Sequence, residues 1–262
     1  MKVVVITGGS GGIGLALCRE FCAQGDKVYS LSRTHNTENP AVHITADVSD
    51  NASVKAAFAQ IEEDHIDLLI NNAGFGISGA IEFTEVGEAE RQFQVNFFGG
   101  LRCTQAALPM LRKCRGRIIN VSSAAAIFSI PFQAFYSASK AAVNSLTLAL
   151  RNELRDFGIS VCAVMPGDVK TGFTKQRHKS NAGSELYQDK IEASIAVMER
   201  DEQNGMTPEY VARYIRRISD KRSVRPLYSA GFLYKIFYML NKLLPQRLVN
   251  WIVSVMYIKK KK

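Results

Sequence analysis

Two textures of apolar positions alternate along this chain. Short unbroken runs rich in Val, Ile and Leu occupy residues 2–7, 27–32, 41–45, 67–70, 116–121 and 159–164. Between them, apolar residues recur every three to four positions. The first such stretch, 12–24, sets Ile13, Leu15, Leu17, Cys18 and Phe21 on one helical face. The same spacing predicts helices over 54–61, 88–112, 136–157 and 185–200. Thr207-Pro208-Glu209 joins an N-cap residue to Pro at the first helical position and opens a helix to about Ser219. Continuous apolar strands separated by helices predict a parallel sheet covered on both faces, because an exposed sheet face would show polar alternation. The expected fold class is therefore α/β, a doubly wound parallel sheet of about seven strands. A last strand at 225–229 completes a domain spanning 1–230, and 231–262 reads as an apolar and basic helical extension.

Composition narrows the function classes. The 262 residues carry 47% apolar side chains, enough for one large core. Net charge is +9, but ten basic residues and no acidic one lie from Lys221 onward. The remainder holds 23 Lys and Arg against 24 Asp and Glu, so the body is close to neutral. A basic tail on a neutral body argues against a nucleic-acid-binding domain. Cys18, Cys22, Cys103, Cys114 and Cys162 form no CxxC pair, and the four histidines are scattered. No metal site is expected, and a reducing, cytoplasmic compartment is. The amino-terminal apolar run is too short for a secretory signal and passes straight into glycines.

Those glycines carry the first chemistry. Thr7-Gly8-Gly9-Ser10-Gly11-Gly12-Ile13-Gly14 joins a strand to a helix. Glycines let a phosphate approach the backbone, and a helix N-terminus offers free N–H groups to it. The informative register is TGxxxGxG, with Gly8, Gly12 and Gly14 fixed, which makes the sheet Rossmann-type. After the second strand no acid follows to take a ribose 2′-hydroxyl; Arg33 stands there and suits a 2′-phosphate. NADP(H) is the preferred cofactor, with NAD(H) the second option. Farther along, Tyr136 and Lys140 stand four residues apart on a predicted helix, a phenol one turn from an ammonium. A cation so placed is expected to depress the phenol pKa.

Together these motifs resemble the short-chain dehydrogenase/reductase family, of the compact single-domain type, from residue 1 to about 230. Tyr136-Ser137-Ala138-Ser139-Lys140 is similar to its YxASK, and Asn71-Asn72-Ala73-Gly74 to its NNAG. The resemblance implies adenine contacts from Asp47 and Val48 and an adenosine-side lining from Asn72, Ala73 and Gly74. It also implies a catalytic helix asparagine, Asn96, positioning a water beside Lys140. The carbonyl-binding serine is Ser123, thirteen residues before Tyr136, and Ser122 is a structural neighbour. Pro166, Gly167, Val169 and Thr171 match a PGxVxT segment that holds a nicotinamide carboxamide. Tyr136 and Lys140 then serve both catalysis and the nicotinamide ribose. The implied reaction interconverts a carbonyl and a secondary alcohol, with Tyr136 as acid or base. A homodimer is implied as well. The alternative is a dinucleotide-sensing regulator with little turnover.

The substrate end is the loop after Ser123 and the segment 173–206, where Phe128, Phe132, Phe173, Tyr187 and Met198 are expected to line an apolar pocket. Lys175, Arg177 and Lys179 offer cations at its rim. A steroid-, lipid- or acyl-like carbonyl fits. In the tail, Lys235, Lys242, Pro245 and Arg247 cut the apolar sequence into pieces too short to span a bilayer. These pieces suit helices lying on a membrane surface, or helices covering the protein's own pocket or a dimer face. The terminal lysines 259–262 also fit a dilysine retrieval signal.

Overall fold

A computed structural model describes residues 1–258, so the proposed dilysine signal lies outside the described residues. Strands β1 (Val3–Thr7), β2 (Lys27–Ser32), β3 (Val42–Thr45) and β4 (Leu68–Asn71) alternate with α1 (Gly12–Ala23) and α2 (Asn51–Phe58). A short strand β5 (Ile77–Ser78) precedes α3 (Val86–Phe93), a wide-turn π-helical segment 94–99 and α4 (Gly100–Cys114). Then come β6 (Arg117–Val121), α5 (Ala134–Glu153) and β7 (Ser160–Pro166). A variable region follows: α6 (Phe173–Gln176), β8 (His178–Lys179), α7 (Ser184–Tyr187) and α8 (Lys190–Gln203). The chain closes with α9 (Pro208–Ser219), β9 (Leu227–Ala230), α10 (Phe232–Leu243) and α11 (Gln246–Tyr257).

Seven strands form one parallel sheet in the order β3-β2-β1-β4-β6-β7-β9. Alternation along each strand feeds two cores. Val4 and Ile6 of β1 face Leu17 and Phe21 of α1 and Val211 and Ile215 of α9. Val3 and Val5 face the opposite layer, with Phe58 of α2, Leu111 of α4 and Leu150 of α5. Both sheet faces are thus dry, which is why the strands read as unbroken apolar runs. Strand order reverses between β1 and β4, and the crevice beyond their carboxyl ends is where such sheets bind ligands.

Several elements differ from the sequence reading: the helices expected over 54–61 and 136–157 lie at Asn51–Phe58 and Ala134–Glu153. The helix expected over 88–112 contains the π segment, because the Asn96 side chain engages the backbone of Phe75 instead of facing solvent. The helix expected over 185–200 breaks where Gln188 and Asp189 both adopt positive φ. The final strand starts two residues late at Leu227; there the Pro226 carbonyl, just outside the strand, already accepts from Ala163 N at 2.9 Å.

Candidate active site

One cavity of about 1680 Å³ runs from the glycine loop, across the carboxyl ends of the strands, to the two C-terminal helices. Gly8 and Gly12 hold φ of 71° and 51°, a region that favours glycine. Gly14 does not reach the cavity; a Cβ there would collide with the Gly8 carbonyl, so its role is to bring α1 against β1. The first turn of α1 has neither a side-chain cap nor an acidic residue. That arrangement leaves positive N–H groups for an anion and fits a pyrophosphate. Two residues missed in the sequence brace the loop: Asn36 Nδ2 donates to Ser10 O at 2.8 Å and Asn39 Nδ2 to Gly9 O at 2.9 Å. A loop Asn pair three residues apart was their only sequence signal.

Ser10, Ile13, Arg33, Asp47, Val48, Asn72, Ala73 and Gly74 line the same end of the cavity. Asp47 accepts from the Ser49 hydroxyl at 2.6 Å and from Ser49 N at 2.9 Å. That hydroxyl, with the Arg33 and Arg102 charges behind it, holds the carboxyl below its ordinary range. Asn72 Nδ2 donates to Thr7 O at 3.0 Å, tying β4 to β1. Asn71 donates to Asn120 at 2.9 Å and Asn120 to Thr147 at 2.8 Å, a buried chain that locks β4, β6 and α5 together.

α5 carries Tyr136 and Lys140 on one face as the spacing requires, with Lys140 Nζ 5.9 Å from the Tyr136 ring. Ser123, just past the end of β6, lines the cavity beside them, and its hydroxyl oxygen accepts from Ala125 N at 3.1 Å. Lys140 is 4% exposed and donates to Val121 O at 2.8 Å. Burial pulls its pKa down to about 8 and pushes the Tyr136 phenol up to about 12, the latter opposed by Ser123 and Arg177. The expected depression of the phenol by Lys140 is therefore not found: burial raises the phenol, and the groups that oppose the rise are Ser123 and Arg177. The Ser122 hydroxyl donates to the Lys140 carbonyl at 3.1 Å, joining the end of β6 to α5. Asn96 is 4% exposed and lies just behind the cavity wall. Its amide spans Phe75 N and Phe75 O, both at 3.0 Å, and Ser139 Oγ at 3.1 Å. Asn96 and Lys140 meet at Gly74, where a Cβ would stand 3.1 Å from Asn96 Oδ1 and 3.5 Å from Lys140 Nζ.

Pro166, Gly167, Val169 and Thr171 form the far wall. Met206 fixes this segment by donating to Asp168 O and accepting from Lys170 N, both at 2.9 Å. At the substrate end Phe128 and Phe173 line the cavity, and Phe173 packs 5.6 Å from the Tyr136 ring. Phe132, Tyr187 and Met198 do not. They join Ile191, Ile195 and Ala80 in a separate small core under the 173–206 segment, the lid, with Phe132 edge-on to Tyr187 at 5.6 Å. The wall expected of them comes from the tail, through Tyr234, Phe237, Leu240, Val249, Val253 and Tyr257. Arg177 is no rim cation either: its side chain is fully buried and pairs with Glu202. Asp168 accepts from Tyr234, whose ring lies on Gly167. Burial raises the Asp168 carboxyl. Among the described residues no cluster of His, Cys, Asp or Glu suits a metal ion.

Comparisons with known proteins agree with this geometry. The family profile described as short chain dehydrogenase matches residues 2–182. A 3-ketodihydrosphingosine reductase of Bacteroides thetaiotaomicron is 36% identical over 98% of each chain. The crystal structure of a short-chain dehydrogenase from Streptomyces avermitilis superposes with a TM-score of 0.84 at 28% identity, over 97% of each chain. A serine dehydrogenase complexed with NADP+ superposes at 0.73 and 25% identity, over 87% of this chain and 93% of its own. With a glycine turn and a Ser–Tyr–Lys group sharing one cavity, this chain belongs to the short-chain dehydrogenase/reductase family, as an NAD(P)-dependent oxidoreductase acting between alcohol and carbonyl groups.

Proposed function

We propose that the protein is an NADP(H)-dependent reductase of long-chain lipid ketones, working in a reducing, cytoplasmic compartment as a homodimer through α5. The observation that carries the reading is the continuity of the cavity. It passes from Arg33 through Ser123, Tyr136 and Lys140 into an apolar chamber walled by Phe128, Phe237, Leu240, Val249 and Val253. Such a chamber suits an alkyl chain, each buried methylene being worth about 0.8 kcal/mol. The 3-ketodihydrosphingosine reductase that this chain resembles acts, by its name, on a ketone of this class.

NADP(H), when bound, supplies or accepts the hydride. The glycine turn and the α1 N-terminus hold its pyrophosphate, Arg33 its 2′-phosphate, and the 166–171 segment with Lys140 its nicotinamide end. Tyr136, protonated up to about pH 12, is the acid in place at neutral pH and gives its proton to the carbonyl oxygen. Ser123 hydrogen-bonds the same oxygen as charge develops on it. Lys140 is placed to return a proton to Tyr136, and Asn96, on the other side of Gly74, to position the water that resupplies it.

Following NADPH and NADH oxidation against 3-ketodihydrosphingosine, shorter alkyl ketones and steroid ketones tests this. Long-chain ketones with NADPH should give the highest kcat/KM, and Tyr136→Phe should lower kcat by about a thousandfold or more with NADPH binding retained. NADPH binding without turnover on any ketone would overturn the reading and leave a dinucleotide sensor.

A further inference from the structure

We propose that the outer faces of α10 and α11 dock on an anionic lipid bilayer, and that the active-site chamber takes its substrate from that bilayer between the two helices. The docking rests on the surface alone; the loading route rests also on the lipid-ketone reading above.

Both helices are apolar on two sides. On α10, Tyr234, Phe237, Asn241 and the adjoining Leu244 line the cavity, whereas Ile236, Met239 and Leu243 face away from it. On α11 the same division separates Val249 and Val253 from Leu248, Trp251 and Val255. Among the described residues, 21 large hydrophobics are exposed, and 11 of them lie between Phe232 and Met256. No residue of α10 is buried, although its sequence is FLYKIFYMLNKL. A helix apolar on both sides belongs against an apolar medium, and among the described residues nothing covers the outer side.

Charge selects the occupant. Lys235, Lys242 and Arg247 are exposed among these residues, and no acid follows Asp220 in the sequence. A second copy would set two wholly basic tails against each other, whereas an anionic headgroup layer neutralises them. Each helix has 12 residues, about 18 Å long against a hydrocarbon core of roughly 30 Å, so the pair lies in the interface and does not cross it. The single Trp of the chain, Trp251, sits on the outer face, where an amphipathic ring suits the headgroup boundary. Leu240, Ile252 and Met256 are both exposed and cavity-lining, which puts an apolar seam of the chamber at this surface.

The test is vesicle flotation of the full chain, as wild type and as the combined variant Met239→Ser, Leu243→Ser, Trp251→Ser and Val255→Ser, four residues outside the cavity wall. Wild type should float with phosphatidylcholine vesicles containing phosphatidylglycerol, with about a hundredfold preference over phosphatidylcholine alone. The variant should stay in the bottom fraction. It should also lose at least about tenfold in kcat/KM on a vesicle-borne long-chain ketone while keeping its rate on a short water-soluble one. Absent flotation of wild type, or equal flotation of both proteins, overturns the docking. A dimer in light scattering that the variant abolishes, without flotation of wild type, overturns it in favour of a second copy. Flotation as expected with no ketone reduced upholds docking and overturns the lipid-ketone reading with its loading route.

Discussion

At the scale of single residues, burial does more to tune this site than pairwise charge. Lys140 is held at about 8 against an ordinary 10.5, a difference of roughly 3 kcal/mol that opposes folding when the amine must be charged. Between those two values the unfolded chain binds the proton and the folded chain does not, so stability rises with pH across that window. Lys140→Met should therefore raise the Tm of the cofactor-free protein at pH 7. The gain should shrink as pH climbs from 8 toward 10.5. A Tm difference flat from pH 7 to 10.5 would mean that Lys140 is charged in the fold at ordinary cost. The i,i+4 spacing of Tyr136 and Lys140 was legible because one helix decides it. The direction in which their environment moves the phenol was not, since that depends on the loop, the lid and Phe173, all brought in from elsewhere in the chain.

At the scale of elements, local signals fixed the strands, the glycine turn and the Thr207 cap, and long-range packing fixed the lid. Phe132, Tyr187 and Met198 are apolar and lie in the right segments, yet Ile191, Ile195 and Ala80 take them into a core of their own. The contact between Tyr234 and Asp168 spans 66 residues and had no sequence signal. It latches α10 to the 166–171 segment, with the Tyr234 ring filling the space above Gly167. Tyr234→Phe keeps that ring but removes a hydrogen bond to a largely buried carboxylate, a loss of about 1–3 kcal/mol. The cost should fall on the latch and not on the sheet. Limited proteolysis should cut the 231–258 region faster in the variant, with Tm changed by only a few degrees. KM for a long-chain ketone should rise more than KM for a short one. Unchanged proteolysis would show that the ring alone holds the helix.

At the scale of the whole molecule, we propose that stability and substrate choice divide near residue 230. Neither large core draws on the tail: the layer against α1 and α9 ends with Ala230, and the layer against α2, α4 and α5 ends with Val161. Among the described residues beyond Gly231, only Val249 and Val253 are buried hydrophobics. Yet the same 231–258 region supplies most of the apolar wall of the chamber. A chain ending at Gly231 should therefore fold, bind NADPH and reduce a short ketone at a rate close to that of the full protein. What it should lose is sensitivity to chain length. In the full protein each added methylene that reaches the wall between Phe237 and Val253 contributes about 0.8 kcal/mol, nearly fourfold in kcat/KM. In the truncated protein that factor should collapse toward one per methylene, a slope of zero in log kcat/KM, because the added carbons meet water. Plotting log kcat/KM against ketone length for both proteins distinguishes the roles. Parallel slopes would place the chain-binding wall on the lid, and a truncated protein that fails to bind NADPH would make the tail part of the fold itself.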